Sequence, residues 1–375
     1  MVKILIAYNT CWYVFNFRRP LIRALLAAGY EVTVLAPRDE YTDRVMETGA
    51  AFRDIAIDSK GNNPLKDLGT IVAFFRAYRE LKPDLVLQYT IKPNLYGSIA
   101  ARFLRIPAVC NITGLGAAFN RGGITEAVAR LLYRASFSSV RRVFFQNPDD
   151  YGLFLSSGLV KEAQADLLPG SGVDTDRFAP SPGPRPDGPF SFLFIGRLLK
   201  EKGVEDLIAA ARLARAEAPE LRFRLLGRFD PTDAHTADPA LVRAAADDGT
   251  IELLGETDDV RPIIRAADCV VLPSYYREGT PRSLLEAIAS GKPVVAADSV
   301  GTREPVRDGV NGFLHRPRDP ADLAAKILAM ARQDGAALAD MGAASRAYAL
   351  ERFREEIVIE KYLEIVAACV NGTRP

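Results

Sequence analysis

The sequence predicts a two-domain α/β protein built on parallel sheets. Three observations carry this. Short runs of β-branched and apolar residues alternate with stretches of helical spacing. The alternation breaks at "APSPGPRPDGP", residues 179–189, where Pro and Gly preclude either element. It then begins again and runs nearly to the end. Alternating strands and helices imply a parallel sheet with helices on both faces. The expected division is a first domain over 1–178, a linker over 179–189, a second domain over 190–353, and a final amphipathic helix within 354–375.

In the first domain "VKILIAYN", "EVTVLAP", "AFRDIAI", "DLVLQYT", "PAVCNIT" and "RRVFFQN" read as strands. Between them "RRPLIRALLAAG", "LGTIVAFFRAYREL" and "NLYGSIAARFL" have apolar residues at helical spacing. In the second domain the strands are "FSFLFIG", "RFRLLG", "IELLG", "CVVLPS", "KPVVAAD" and "GFLHRP", with helices at 204–217, 258–267, 281–290 and 320–333. The tail "EEIVIEKYLEIVAACV" is the final helix.

Composition narrows the function classes. The 375 residues suffice for two cores, and 48% hydrophobic with 25% charged residues is ordinary for a globular protein. Four widely spaced cysteines form no CxxC pair, which suggests reduced thiols. With only His235 and His315, a His-rich metal centre is nearly excluded, and neither sits in a context that suggests a Ser-His-Asp assembly. The run "ILIA" after Lys3 is too short for a signal peptide, and nothing spans 18 apolar residues, so any membrane contact is expected to be peripheral. The net charge of +1 hides an asymmetry: residues 1–170 carry 21 basic against 15 acidic residues. Residues 85–145 hold eight basic residues and only Glu126 as an acid, either a solvated basic face or a surface for an anionic partner.

In open parallel sheets ligands bind beyond the carboxyl ends of the strands. After "FLFIG" the loop "RLLKEKG" offers Arg197 and Lys202, a planar donor fork and a mobile point charge suited to a diphosphate; solvated loop cations would look the same. Arg228 and Glu256 follow the next two strands as weaker candidates. After "CVVLPS" comes "YYREGTPRSLLEAIASGKPVV", residues 275–295. Thr280 reads as a helix N-cap, Pro281 as the first helical residue and Gly291 as the stop. Glu278 then lies in the loop above the helix start and Glu286 two turns inside, with an anion-binding helix terminus between them. Arg282 in the first turn opposes the helix dipole, which an anion or a local carboxylate would explain. Competing motifs fail: "GLGAAF" lacks the third glycine of a dinucleotide fingerprint, "SGKP" lacks the upstream glycine of a P-loop, and no Asp-x-Asp occurs.

"GRLLKEKGVEDLI", "EGTPRSLLEAIASGKPVVAAD", "GVDTDRF" and "DGVNGFL" resemble motifs of the retaining family 4 glycosyltransferases, over essentially the whole chain. "WYVFNFRRPLIRALLAAGYEVTVLAPRDEYT" and "NITGLGAAF" are similar to bacterial enzymes that extend undecaprenyl-diphosphate-linked saccharides, and to capsule and exopolysaccharide relatives. The resemblance implies a GT-B fold, two Rossmann-like domains with parallel sheets facing across a cleft, the last helix crossing back to the first domain. It implies roles as well. Arg197 and Lys202 would neutralise the donor diphosphate, Glu286 would hold the ribose, and Glu278 the transferred sugar. The Gly279 and Thr280 amides would face the diphosphate or sugar, with Arg282, Arg228 and Glu256 on the donor side. Asn9, Thr10, Thr113 and Gly114 would lie on the acceptor side. Many family members carry a histidine where this chain has Thr113, so a histidine-dependent role does not transfer.

The expected function is therefore transfer of a sugar, an N-acetylhexosamine or a relative, from a UDP-sugar to a polyprenyl-diphosphate-linked saccharide. No cofactor, metal or nucleic acid is expected, and the expected place is the cytoplasmic face of the membrane. Arg130, Arg134 and Arg141, within "NRGGITEAVARLLYRASFSSVRRVFF", are the candidates for contact with anionic lipid. The alternatives are a nucleotide-sugar epimerase of related fold, hard to equip with two histidines, and a non-catalytic nucleotide-sugar sensor.

Overall fold

The computed structural model describes residues 1–58, 64–115, 123–181 and 188–371. The chain forms two compact units, residues 1–171 with 355–375, and residues 172–354.

In the first unit the strands are β1 (Lys3–Ala7), β2 (Glu31–Ala36), β3 (Ala51–Asp54), β4 (Leu85–Tyr89), β5 (Ala108–Ile112), β6 (Arg142–Phe145) and β7 (Ala165–Leu167). They pair in the order β3-β2-β1-β4-β5-β6-β7, every pair parallel. The central strands β4 and β5 are buried at every residue, as their unbroken apolar character requires. Helices α1 (Cys11–Ala27), α2 (Thr42–Met46), α3 (Pro64–Leu81), α4 (Ser98–Leu104), α5 (Gly123–Phe137) and α6 (Pro148–Ser156) flank the sheet.

Helix α1 begins at Cys11, earlier than the apolar spacing suggests. Thr10 caps it by accepting from the Tyr13 amide at 3.2 Å, and the Asp39 carboxylate accepts from the Cys11 and Trp12 amides at 2.8 and 3.2 Å. "NLYGSIAARFL" divides into a wide π turn, Pro93–Gly97, and α4.

The second unit holds β8 (Ser191–Ile195), β9 (Arg222–Leu226), β10 (Glu252–Gly255), β11 (Cys269–Leu272), β12 (Val294–Ala297) and β13 (Gly312–His315). Their order is β10-β9-β8-β11-β12-β13, again all parallel. Its helices are α7 (Val204–Glu217), α8 (Pro239–Asp247), α9 (Arg261–Arg265), α10 (Arg282–Ala289), α11 (Pro320–Ala331) and α12 (Gly335–Arg352). The strand order reverses direction between β8 and β11, which places a crevice at their carboxyl ends.

The change of unit falls at Gly172 rather than after residue 178. The segment "GVDTDRF" is held by the second unit: the Val173 amide donates to Phe353 O at 2.7 Å, and Arg346 donates to Thr175 O at 2.7 Å. Of the expected linker, residues 182–187 lie outside the described residues. The last helix, α13 (Glu355–Val370), groups with the first unit. Asn111 of β5 donates to the Tyr362 hydroxyl at 2.8 Å, and Lys361 pairs with Asp166 at 2.9 Å. Buried Arg18 lies over the Tyr89 ring, 4.4 Å from its centroid, and Tyr89 in turn contacts Tyr362.

Candidate active site

The crevice of the second unit is built by two loops, one after β8 and one after β11. The β8 loop carries Arg197 and then a 3-10 turn, Lys200–Lys202, that leads into α7 through Gly203. Gly203 has φ +76°, and a Cβ there would stand 2.2 Å from Pro273 O. Only glycine lets the two loops approach this closely. The approach is fixed by the Glu201 carbonyl, which accepts from the Tyr275 and Tyr276 amides, each at 3.0 Å. Behind the β11 loop, Gly301 at φ +77° would place a Cβ 2.0 Å from Gly279 O, so its bareness seats the Glu278–Gly279 turn.

These contacts bring Lys202 and Glu278 together as an ion pair, with the two side chains 17% and 14% exposed. Ser274 Oγ donates to the same Glu278 Oε1 at 3.0 Å, and buried Thr302 donates to Ser274 O at 3.4 Å. One turn away Arg282 Nε donates to Glu286 Oε1 at 3.1 Å. Burial pushes the Glu286 carboxyl above its ordinary value, while Arg282 and then Arg177 pull it back. Two carboxylates, each matched by a cation, therefore flank the start of α10.

Two details differ from the sequence expectation. The first intrahelical bonds of α10 go to Pro281 O, so extended Pro281 is the N-cap and the helix starts at Arg282; Thr280 is not the cap. Arg282 answers its place against the dipole with a local carboxylate, Glu286, four residues on.

The remaining candidates are spread more widely. Arg197 and Glu256 are exposed, and the exposed Arg228 guanidinium stands 3.5 Å from Asp230. Gly279 and Thr280 are buried beneath the Glu278 turn. In the first unit Asn9 and Thr10 follow β1 and Thr113 and Gly114 follow β5, all at strand carboxyl ends. The Thr10 hydroxyl is engaged as the α1 cap. The buried Oδ1 of Asn9 has no hydrogen-bond partner among the described residues.

On α5, Arg134 is exposed and Arg130 half-buried, and both reach Ser157, at 3.2 and 2.5 Å. Arg141 is exposed beyond it, and Arg121 lies outside the described residues. Tyr133 and Phe137 enter the core, whereas Leu131 is 68% exposed. Sequence reading missed Ser274, Arg177 and the Glu201 carbonyl. Ser274 had a weak signal as the last residue of "CVVLPS"; a backbone carbonyl has none. Among the described residues no group of three His, Cys, Asp or Glu side chains could hold a metal, and no helix is long and apolar enough to cross a membrane.

Two family models match the chain, one on each unit. "Glycosyl transferase 4-like domain" covers residues 17–171, and "Glycosyl transferases group 1" covers 189–333, including both loops of the crevice. The chain belongs to the GT-B glycosyltransferases. It is similar to the N,N'-diacetylbacillosaminyl-diphospho-undecaprenol alpha-1,3-N-acetylgalactosaminyltransferase of Campylobacter jejuni, 26% identical over 94% of this chain and 95% of that one. It is also similar to the UDP-Gal:alpha-D-GlcNAc-diphosphoundecaprenol alpha-1,3-galactosyltransferase of Escherichia coli, 26% identical over 67% of each. Among solved structures, Anabaena Alr3699/HepE in complex with UDP and glucose shares the fold, with TM-score 0.80 and 22% identity over 98% of this chain and 100% of that one. This glycosyltransferase is an enzyme of the hexosyl-transferring class. Neither the epimerase nor the sensor reading is favoured by these likenesses.

Proposed function

We propose that this glycosyltransferase moves a sugar from a UDP-sugar to a polyprenyl-diphosphate-linked saccharide, with retention, at the inner face of the cytoplasmic membrane. The observation that carries the donor half is the arrangement at the β8/β11 crevice. Glu286 and Glu278 stand on either side of the α10 start, with Lys202 between the two loops. A nucleotide sugar has two polyhydroxyl rings with a diphosphate between them, and this arrangement matches that order. The ribose takes Glu286, the sugar takes Glu278, and the diphosphate takes Lys202, Arg197 and the helix start. In a retaining transfer by front-face attack the leaving diphosphate accepts the proton of the acceptor hydroxyl as the glycosidic bond breaks. What the protein must supply is stabilisation of that leaving group rather than a base. The acceptor half is supported by two relatives whose names specify diphospho-undecaprenol-linked acceptors.

The site's own charges support a route for donor entry. Lys202 is already paired with Glu278, so the diphosphate draws Lys202 away while sugar hydroxyls replace it at Glu278. Binding of UDP alone breaks the pair without replacing it. UDP affinity therefore rises when Glu278 becomes Gln and falls when Glu286 becomes Gln. Calorimetry with UDP on the two variants tests the assignment, and the reverse pattern overturns it.

The membrane half rests on the exposed Arg134 and Arg141 and on Leu131, exposed on α5. Each basic residue near an anionic surface contributes about 1 kcal/mol, which salt screens.

A further inference from the structure

Ser274 stands two residues past β11 and is fully buried. Its hydroxyl has one proton and two acceptors within reach, Glu278 Oε1 at 3.0 Å and Glu201 O at 3.4 Å. Glu201 O already accepts the Tyr275 and Tyr276 amides, each at 3.0 Å, so both its lone pairs are taken. The carboxylate is nearer and charged, which makes it the stronger acceptor. The proton therefore goes to Glu278, on the same oxygen that Lys202 binds.

The two donors differ in how they respond to an anion. Lys202 is a cation on a flexible stem, so a diphosphate can draw it away. Ser274 is neutral and short, and it offers an anion no charge to pull on. It is also held from behind. Buried Thr302 donates to Ser274 O at 3.4 Å. The neighbouring Gly301 would place a Cβ 2.5 Å from Glu278 O, so its bareness seats the backbone at the other end of the hydrogen bond. Residues 301 and 302 thus fix both the donor and the acceptor of this bond. A carboxylate 14% exposed would otherwise turn toward water when its cation departs.

We propose that Ser274 is a positioning residue for the transfer, an inference that rests on the donor reading above. It holds Glu278 Oε1 while Lys202 leaves for the diphosphate, so the carboxylate meets the sugar hydroxyls in one orientation. It also eases donor entry, because Glu278 keeps a hydrogen bond when its pair with Lys202 breaks. Without the hydroxyl, Glu278 depends more on Lys202 and yields it less readily.

A cycle of variants read by calorimetry with UDP tests this without turnover. Ser274→Ala should weaken UDP binding about tenfold in the wild-type background, through loss of one hydrogen bond to a charged group. In Glu278→Gln, which has no pair with Lys202 to break, the same change should alter UDP binding by less than about twofold. Ser274→Cys keeps the volume and exchanges the hydroxyl for a weak donor, so it should behave as Ser274→Ala does. Turnover of the UDP-sugar should fall about tenfold in both Ser274 variants. Equal losses of UDP affinity from Ser274→Ala in the two backgrounds would overturn the role of Ser274, since a merely structural residue acts alike in both. A Ser274→Cys variant that binds and turns over like wild type would overturn it too. Glu278→Gln binding UDP no better than wild type would instead refute the donor reading, and this inference with it.

Discussion

Replacing Lys202 by Met tests the donor site at its most connected residue. The change keeps the aliphatic stem and removes the ammonium. It should act twice. Glu278, only 14% exposed, loses the Lys202 ammonium and keeps the Ser274 hydroxyl at 3.0 Å. Breaking a fully buried pair costs about 3–5 kcal/mol; partial exposure and the surviving hydrogen bond bring this to about 1–2 kcal/mol. For a unit of this size that is a fall in Tm of roughly 2–8 °C. The sequence alone suggests that a loop lysine is free of folding cost; the pairing with Glu278 makes it otherwise. The second effect is loss of a charge-assisted contact to the departing diphosphate, about 2–4 kcal/mol, or roughly 30- to 1000-fold in turnover. The double variant Lys202→Met/Glu278→Gln separates the two. It should regain most of the lost Tm, because the carboxylate that Lys202 balanced is neutralised with it, and none of the activity. Differential scanning fluorimetry and UDP release measure both. Turnover by Lys202→Met within about threefold of wild type, or recovery of turnover in the double variant, would refute the reasoning.

The other expectations can be checked together. Arg197→Ala should lower turnover with Tm unchanged, since its side chain is exposed and has no ion-pair partner among the described residues. Glu286 has a folded-state pKa raised by burial, so its protonated form is favoured by folding. The stability this gives is full below about 4.5, the ordinary glutamate value, and is lost as pH rises through the raised one. Glu286→Gln should therefore raise Tm at pH 7.5, with the difference vanishing near pH 4, while UDP affinity falls. Activity should survive excess EDTA, because Lys202, Arg197 and the α10 start supply positive charge; loss restored by Mg²⁺ or Mn²⁺ would contradict this. Replacing Arg130, Arg134 and Arg141 by Glu should abolish binding to anionic vesicles without changing UDP affinity. Co-sedimentation equal to wild type would exclude this segment.

Much of the fold was legible because strands buried on both faces read as unbroken apolar runs. β4, β5, β11 and β12 are buried throughout, and their sequences announce it. The three-residue edge strand β7 and the alanine-rich α12 escaped, since one is too short for a pattern and the other has too little contrast between its faces. At the site, the Glu278 and Glu286 spacing pointed to the crevice because a strand end, a loop and a helix start follow one another locally. What stayed hidden is non-local. Lys202 and Glu278 are 76 residues apart, and their pairing depends on Gly203 yielding to Pro273 O and on Glu201 O binding two amides. Backbone carbonyls leave no mark in sequence patterns. The early start of α1 was hidden likewise, because Asp39, which takes two of its amides, belongs to the next strand's loop.

The central claim is tested most directly by incubating the purified protein with a radiolabelled sugar on each of a panel of nucleotides and a polyprenyl-diphosphate-linked saccharide, then counting the lipid fraction. Label should enter the lipid from a UDP-sugar, with UDP released in equal amount, and should enter far more slowly with Glu278→Gln or Lys202→Met, at least about 30-fold for the latter. Transfer from a GDP- or dTDP-sugar alone, or sugar-nucleotide turnover with no label in lipid, would contradict the account.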